Sequence, residues 1–229
     1  MEGFYSKDYF IEDYMCDRNK NLLPSFALKL VQSVSVLHCE NMGVYEKISA
    51  RGQAFLITKQ LCEFSRPIKS GETVTLFSAP TEISRGIFPR ITYFCNENGE
   101  KIGYCDARWF LFDTNSRRPL RKFDSDIEYR HVTGISHERI VFPQSEMEFL
   151  KTESVRYCQI DTNGHLNNTE YLNYLSDVTK DSFIHKFQVS YKKEIISGDI
   201  RLEIAKTDNT IHLAGYNGED KNFEIFAEI

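Results

Sequence analysis

No run of about 18 apolar residues occurs in this 229-residue chain, so no segment reads as a membrane-spanning helix. The opening stretch, MEGFYSKDYFIEDYMCD, carries acids early and lacks an apolar core of about 7–15 residues. No secretory signal is therefore expected, and a cytoplasmic location is. The six cysteines, Cys16, Cys39, Cys62, Cys95, Cys105 and Cys158, lie far apart without a C-x-x-C pair. Zinc binding is not expected, and the thiols read as reduced, small hydrophobic side chains. Glycine-rich phosphate loops, nucleophile elbows and metal-ligand clusters are missing as well, which removes several common nucleotide-, serine- and metal-dependent chemistries. A basic surplus is absent too: 28 Lys and Arg stand against 33 Asp and Glu, a net charge of −5. That balance argues against a general nucleic-acid binder and leaves room for a local basic patch meeting one acidic partner.

What the chain does have is enough apolar content, 41% with 13% aromatic, to build a sizeable core in one large domain or two small ones. It also contains itself twice. Shifted by 144 positions, DRNKNLLPSFALKLVQSV from Asp17 lies without a gap on DTNGHLNNTEYLNYLSDV from Asp161. Asp17 meets Asp161, Asn19 meets Asn163, Leu22 meets Leu166 and Leu28 meets Leu172. RPIKSGE at Arg66–Glu72 lies on KEIISGD at Lys193–Asp199, and NGE recurs at Asn98–Glu100 and Asn217–Glu219. Three echoes in one order predict two copies of a single supersecondary unit.

Each copy reads alike. A strand (around 3–15 and 149–158) precedes a loop and an apolar helix (around 24–42 and 168–184), and β-rich runs follow. In the first helix Phe26, Leu28, Leu30, Val31, Val34, Val36 and Leu37 leave little polar face, so it should be buried. NENGE and YNGED supply Asn-Gly hairpin turns. The expected class is α+β, with two antiparallel sheets, each wrapped around a central helix and joined edge to edge. Residues 1–125 would form the first unit, 126–147 a polar linker and 148–229 the second unit.

The copies differ at two positions that bear on chemistry. His165 falls opposite Asn21, and Glu194 opposite Pro67. Imidazole and carboxylate suit proton transfer near neutral pH, and only the second copy has both. That copy reads as catalytic and the first as a binding scaffold. Asn167 or Asn168 suits a helix N-cap, with Glu170 completing a capping box. The free N–H groups of that helix would then lie just beyond His165, where they favour a developing oxyanion.

DTNGHLNNTEYLNYL resembles the D-x-N-x-H-(V/L)-N-N-x-x-Y motif of the acyl-acyl carrier protein thioesterases, tandem hot dog proteins. YKKEIISGD at Tyr191–Asp199 is similar to that family's Y-(R/K)-(R/K)-E stretch. QAFLITKQLCEFSRPIKSGETVTL, FPR and ARWFLFDTNSRRPLR resemble its N-terminal hot dog domain, so the likeness spans almost the whole chain. The resemblance implies a double hot dog fold and hydrolysis of acyl-acyl carrier protein to free fatty acid, ending chain elongation, with no cofactor. It implies an active site of Asp161, Asn163, His165 and Glu194. Glu194 with His165 would take a proton from water, Asn163 would hold the carbonyl and Asp161 would brace the loop. Which of His165 and Glu194 is the main base stays open. Ile195 stands where many plant members carry cysteine, which removes a Cys-His mechanism. The acyl chain would lie in the first unit, among QAFLITKQL and FALKLVQSVSVL.

The implied partner, an acidic carrier protein bearing an acyl-phosphopantetheine thioester, needs a positive dock. Arg117, Arg118, Arg121 and Lys122, and Lys192 and Lys193 beside Glu194, are the candidates. Rival readings are an acyl-CoA thioesterase and a non-catalytic acyl-binding hot dog protein; the intact His165 and Glu194 argue against the second. One chain already holds both units, so a homodimer is optional.

Overall fold

The structure is a computed structural model and describes residues 1–124 and 126–229. The first half contributes strands β1 (Tyr5–Phe10), β2 (Gln53–Phe64), β3 (Thr73–Pro80), β4 (Phe88–Cys95), β5 (Lys101–Asp113) and β6 (Arg118–Leu120). The second contributes β7 (Glu148–Ser154), β8 (Lys186–Tyr191), β9 (Asp199–Lys206), β10 (Thr210–Asn217) and β11 (Asp220–Glu228). The helices are α1 (Pro24–Asn41), α2 (Val44–Ala50) and α3 (Tyr171–Thr179).

The strands join in one antiparallel sheet of order β1-β3-β4-β5-β2-β8-β11-β10-β9-β7, with β6 attached to β5. Read inward from either end, equivalent strands of the two copies appear in the same order, as a two-fold arrangement requires. β2 and β8 meet at the centre, from Lys59 opposite Ser190 to Glu63 opposite Lys186. Each closes the other's open edge, so the two expected sheets become one continuous sheet.

Both long helices pack on one face of it. Leu28, Val31 and Val34 of α1 and Leu172 and Leu175 of α3 are buried in one cluster with Phe64, Phe94, Phe187 and Phe223 of the sheet. α1 opens with Pro24, whose missing N–H is harmless in a first turn. It ends at Asn41, before Gly43 turns the chain at φ 65°. α3 is shorter than the expected 168–184: a turn occupies 168–170, and Lys180 at φ 51° stops the helix. α2 was not expected. Its Val44 and Ile48, one helical turn apart, dock with Phe88, Leu111 and Ile127 in a second apolar cluster.

The connection between the halves lies across the opposite face of the sheet. Asp106 and His212 alternate with core-facing Cys105 and Leu213, so they point there. His137 Nδ1 lies 2.9 Å from Asp106 Oδ2, and its Nε2 lies 2.7 Å from Thr81 Oγ1. Lys59 Nζ donates to the Ile140 carbonyl at 3.1 Å, and His212 Nδ1 sits 3.1 Å from Ser145 Oγ. The polar linker is thus fastened to both halves.

Candidate active site

The loop at 161–166 is built around Asp161. Its Oδ1 accepts the backbone N–H groups of Asn163 (2.8 Å) and His165 (3.2 Å), while Oδ2 accepts Asn163 Nδ2 at 3.4 Å. Asp161 N–H donates to the His165 carbonyl at 2.8 Å, and Gly164 N–H donates back to the Asp161 carbonyl at 3.0 Å. Gly164 sits at φ 81°, a conformation that costs glycine little. Leu166 N–H donates to the Ile195 carbonyl at 2.7 Å, which pins this loop to the segment carrying Glu194. His165 Nε2 consequently lies 3.4 Å from Glu194 Oε2, with the carboxylate side chain 59% exposed and the imidazole 29% exposed. The pair is open to solvent on the Glu194 side.

The first copy repeats the backbone hydrogen bonds of this framework. Asp17 Oδ1 accepts Asn19 N–H and Asn21 N–H, both at 2.8 Å. Asp17 N–H donates to the Asn21 carbonyl at 2.8 Å, and Leu22 N–H donates to the Ile68 carbonyl at 2.8 Å. Lys20 at φ 62° stands in for Gly164. The side chains differ: Asn19 turns to Asp181 at 2.9 Å, the Asn21 amide donates to Asp17 Oδ2 at 3.1 Å and its oxygen takes a 2.6 Å hydrogen bond from Lys69 Nζ, and Pro67 has no titratable atom. The backbone scaffold therefore forms without a histidine or a glutamate at these two positions.

The expected capping box does not form. Glu170 instead pairs with Lys29 of α1 at 2.9 Å and accepts Asn173 Nδ2 at 2.8 Å. Asn167 Oδ1 accepts the N–H (2.9 Å) and the hydroxyl (2.8 Å) of Thr169, which holds a turn before α3 begins. Beneath the loop, burial pushes the Tyr171 phenol up, helped by the Tyr174 phenol and then by the Glu194 and Asp161 carboxylates. Tyr171 stays neutral and stacks on Phe223 at 4.3 Å.

One supporting residue escaped the sequence reading. Buried Asn222 donates to the carbonyls of Lys193 (3.3 Å) and Glu194 (3.4 Å), and its carbonyl accepts Lys192 N–H at 2.8 Å. It holds the Glu194 segment from the neighbouring β11, and nothing local marks it except its place after the YNGED turn. Lys192 pairs with Glu224 at 2.9 Å and Lys193 with Asp220, so neither is a free cation. Arg117, Arg118, Arg121 and Lys122 are exposed and have no carboxylate partner among the described residues.

Residues 2–128 match the family model of the acyl-ACP thioesterase N-terminal domain, and residues 143–223 that of the C-terminal domain. The chain belongs to the acyl-ACP thioesterase family. Its members are thioester hydrolases, and this one releases fatty acid from acyl-ACP. An acyl-ACP thioesterase from Bacteroides thetaiotaomicron is similar in structure, at 17% identity and TM-score 0.86, over 99% of this chain and 97% of that one. A 12:0-ACP thioesterase from Umbellularia californica is similar at 14% identity and TM-score 0.82, over 100% and 97%. At these identities the two likenesses speak for the double hot dog fold. Among curated protein sequences, none matches the chain. No helix among the described residues is long and apolar enough to cross a membrane.

Proposed function

We propose that His165 and Glu194 act as a coupled pair that drives water onto the thioester carbonyl of acyl-ACP. The supporting observation is the 3.4 Å approach of His165 Nε2 to Glu194 Oε2 beside open solvent. Water loses a proton to the pair while its oxygen bonds to the carbonyl carbon. The carbon–sulfur bond then breaks, the proton held by the pair passes to the departing pantetheine sulfur, and the acyl group leaves as a fatty acid whose remaining hydroxyl proton is lost to solvent. Asn163 Nδ2, held only by the 3.4 Å contact to Asp161, is free to donate to the oxyanion of the tetrahedral intermediate. Asp161 acts by holding the loop. Two groups this close titrate as a unit, so any pH–rate values belong to the pair.

In this reading residues 1–125 hold the acyl chain and residues 148–229 carry the chemistry. The support is the central seam, where Tyr191 OH donates to Gln60 Oε1 at 2.8 Å, three residues before Glu194. The carrier protein docks on Arg117, Arg118, Arg121 and Lys122. β5 ends at Asp113 opposite the start of β2, and β8 runs antiparallel to β2, so this cationic hairpin and Glu194 share one end of the sheet. Six free cysteines suit a reducing cytoplasm.

The test is turnover of acyl-ACP by Glu194→Gln and His165→Ala, each expected to lower kcat by about 100-fold or more. Near-normal kcat in both would remove the pair from the mechanism.

A further inference from the structure

In the first copy a latch closes the turn at 66–72 onto the Asp17 loop. Lys69 Nζ donates to Asn21 Oδ1 at 2.6 Å, Ser70 N–H donates to the Lys20 carbonyl at 2.9 Å, and the Ser70 hydroxyl donates to Asp13. The second copy keeps the backbone around this latch. Leu166 N–H donates to the Ile195 carbonyl as Leu22 N–H does to that of Ile68. Asn167 N–H donates to the Gln159 carbonyl as Leu23 N–H does to that of Met15, and Ile160 to Tyr157 as Cys16 to Asp13. Tyr157 therefore stands where Asp13 stands, Gly164 where Lys20 stands, and Ile196 and Ser197 where Lys69 and Ser70 stand.

None of the latch survives the exchange. Tyr157 has no carboxylate for Ser197, Ile196 has no ammonium, and among the described residues no hydrogen bond joins Ser197 to Gly164. The turn is held instead from its far side, where Asn217 Nδ2 donates to the carbonyls of Ser197 (3.1 Å) and Asp199 (3.0 Å). A closed clamp has become an open lip edged by two apolar side chains, Tyr157 at 95% exposure and Ile196 at 65%. Scattered exposed apolar residues are ordinary; the position of these two is not. Ile196 lies two residues after Glu194 and takes the place from which Lys69 reaches Asn21, the counterpart of His165. The open side of the catalytic pair is the side they border.

We propose that Tyr157 and Ile196 form an apolar rim that grips the pantetheine arm of the thioester substrate and so positions its carbonyl at His165 and Glu194. This rests on the hydrolytic reading, which brings a thioester to the pair. In that reading the acyl tail runs inward to the first unit and the carrier protein stays outside on the cationic hairpin. The arm is the part left to cross the lip, and its methylene and methyl groups match an isoleucine and a tyrosine ring. The first copy, with no chemistry to serve, keeps the same lip latched shut.

The experiment compares the whole chain with its double variant Tyr157→Ser and Ile196→Ser on dodecanoyl-ACP and on free dodecanoyl-pantetheine. KM is expected to rise about tenfold for both substrates with little loss of kcat, and the urea midpoint should stay put because both positions are exposed. The same rise is expected with octanoyl-pantetheine. A rise confined to the carrier-bound substrate would assign the rim to protein docking, and one that grows with acyl length would assign it to the tail; either overturns the proposal. So would an unchanged KM for dodecanoyl-pantetheine. Glu194→Gln in the same assay separates the two readings. If it turns over normally while the double variant still raises KM, the hydrolytic pair fails and the rim stands. If it is inactive while the double variant leaves KM unchanged, only the rim fails.

Discussion

Ser25 sits one residue into α1, fully buried, and its hydroxyl has no hydrogen-bond partner. Its counterpart in the second copy is Thr169, whose hydroxyl donates to Asn167 Oδ1 at 2.8 Å. Asn167 corresponds to Leu23, which offers no side-chain acceptor, so the first copy kept the hydroxyl and lost its partner. Burying an unpaired hydroxyl costs about 1–3 kcal/mol on the scale set by protein mutations. Ser25→Ala removes that cost, less a small void where Oγ stood. The variant should gain about 1–2 kcal/mol, or about 3–6 °C in Tm for a chain of this length. Thr169→Val keeps the shape and removes a satisfied bond, so it should lose about 1 kcal/mol. Calorimetry with urea unfolding at unchanged m-value measures both. The decisive quantity is the sign of the difference. A Ser25→Ala chain that loses stability alongside Thr169→Val would show that the hydroxyl is paired, and the argument from the broken repeat would fall.

Asn222→Ala should cost about 2–3 kcal/mol by stranding the Asn217 N–H and two carbonyls. It should also lower kcat by about tenfold or more by loosening Glu194; normal kcat in a destabilised chain would leave Asn222 a purely structural residue. The double variant Arg117→Glu and Arg121→Glu should raise KM for acyl-ACP by roughly three- to tenfold and leave the acyl-CoA rate alone. Wild-type kcat/KM for acyl-ACP should fall as salt rises, and a salt-insensitive value would discard the cationic dock. Burial first, and the Arg90 guanidinium second, push the His38 imidazole down to about 4. The unfolded chain binds that proton from about pH 6.5 and the folded chain only near 4, so stability falls as pH drops through this window. His38→Gln, which keeps an acceptor for Arg90, should lessen the slope of the urea midpoint between pH 6.5 and 4, with His137, also pushed down to about 4 by burial, keeping part of it. An unchanged slope would refute the assignment.

Short-range rules were sufficient wherever the physics is short-range. The repeat, the α1 boundaries, the Asp161 loop and the selective placement of His165 and Glu194 follow from residue type and spacing. Each depends on contacts within a few positions, or on an apolar face that a helix must bury. The 3.4 Å meeting of His165 with Glu194 was legible only indirectly, through the second echo that lies 29 residues beyond it.

The rest came from pairing partners far apart in the chain. α2 exists because Val44 and Ile48 find Phe88 and Leu111, and Glu170 abandons the cap because Lys29 of the other half stands beside it. Lys192 and Lys193 find carboxylate partners once Glu224 and Asp220 arrive on the adjacent strand. Asn222 belongs to the same class. Strand register and the joint between β2 and β8 place these groups, and both are settled by summed burial over the whole sheet, which no local pattern of residues encodes.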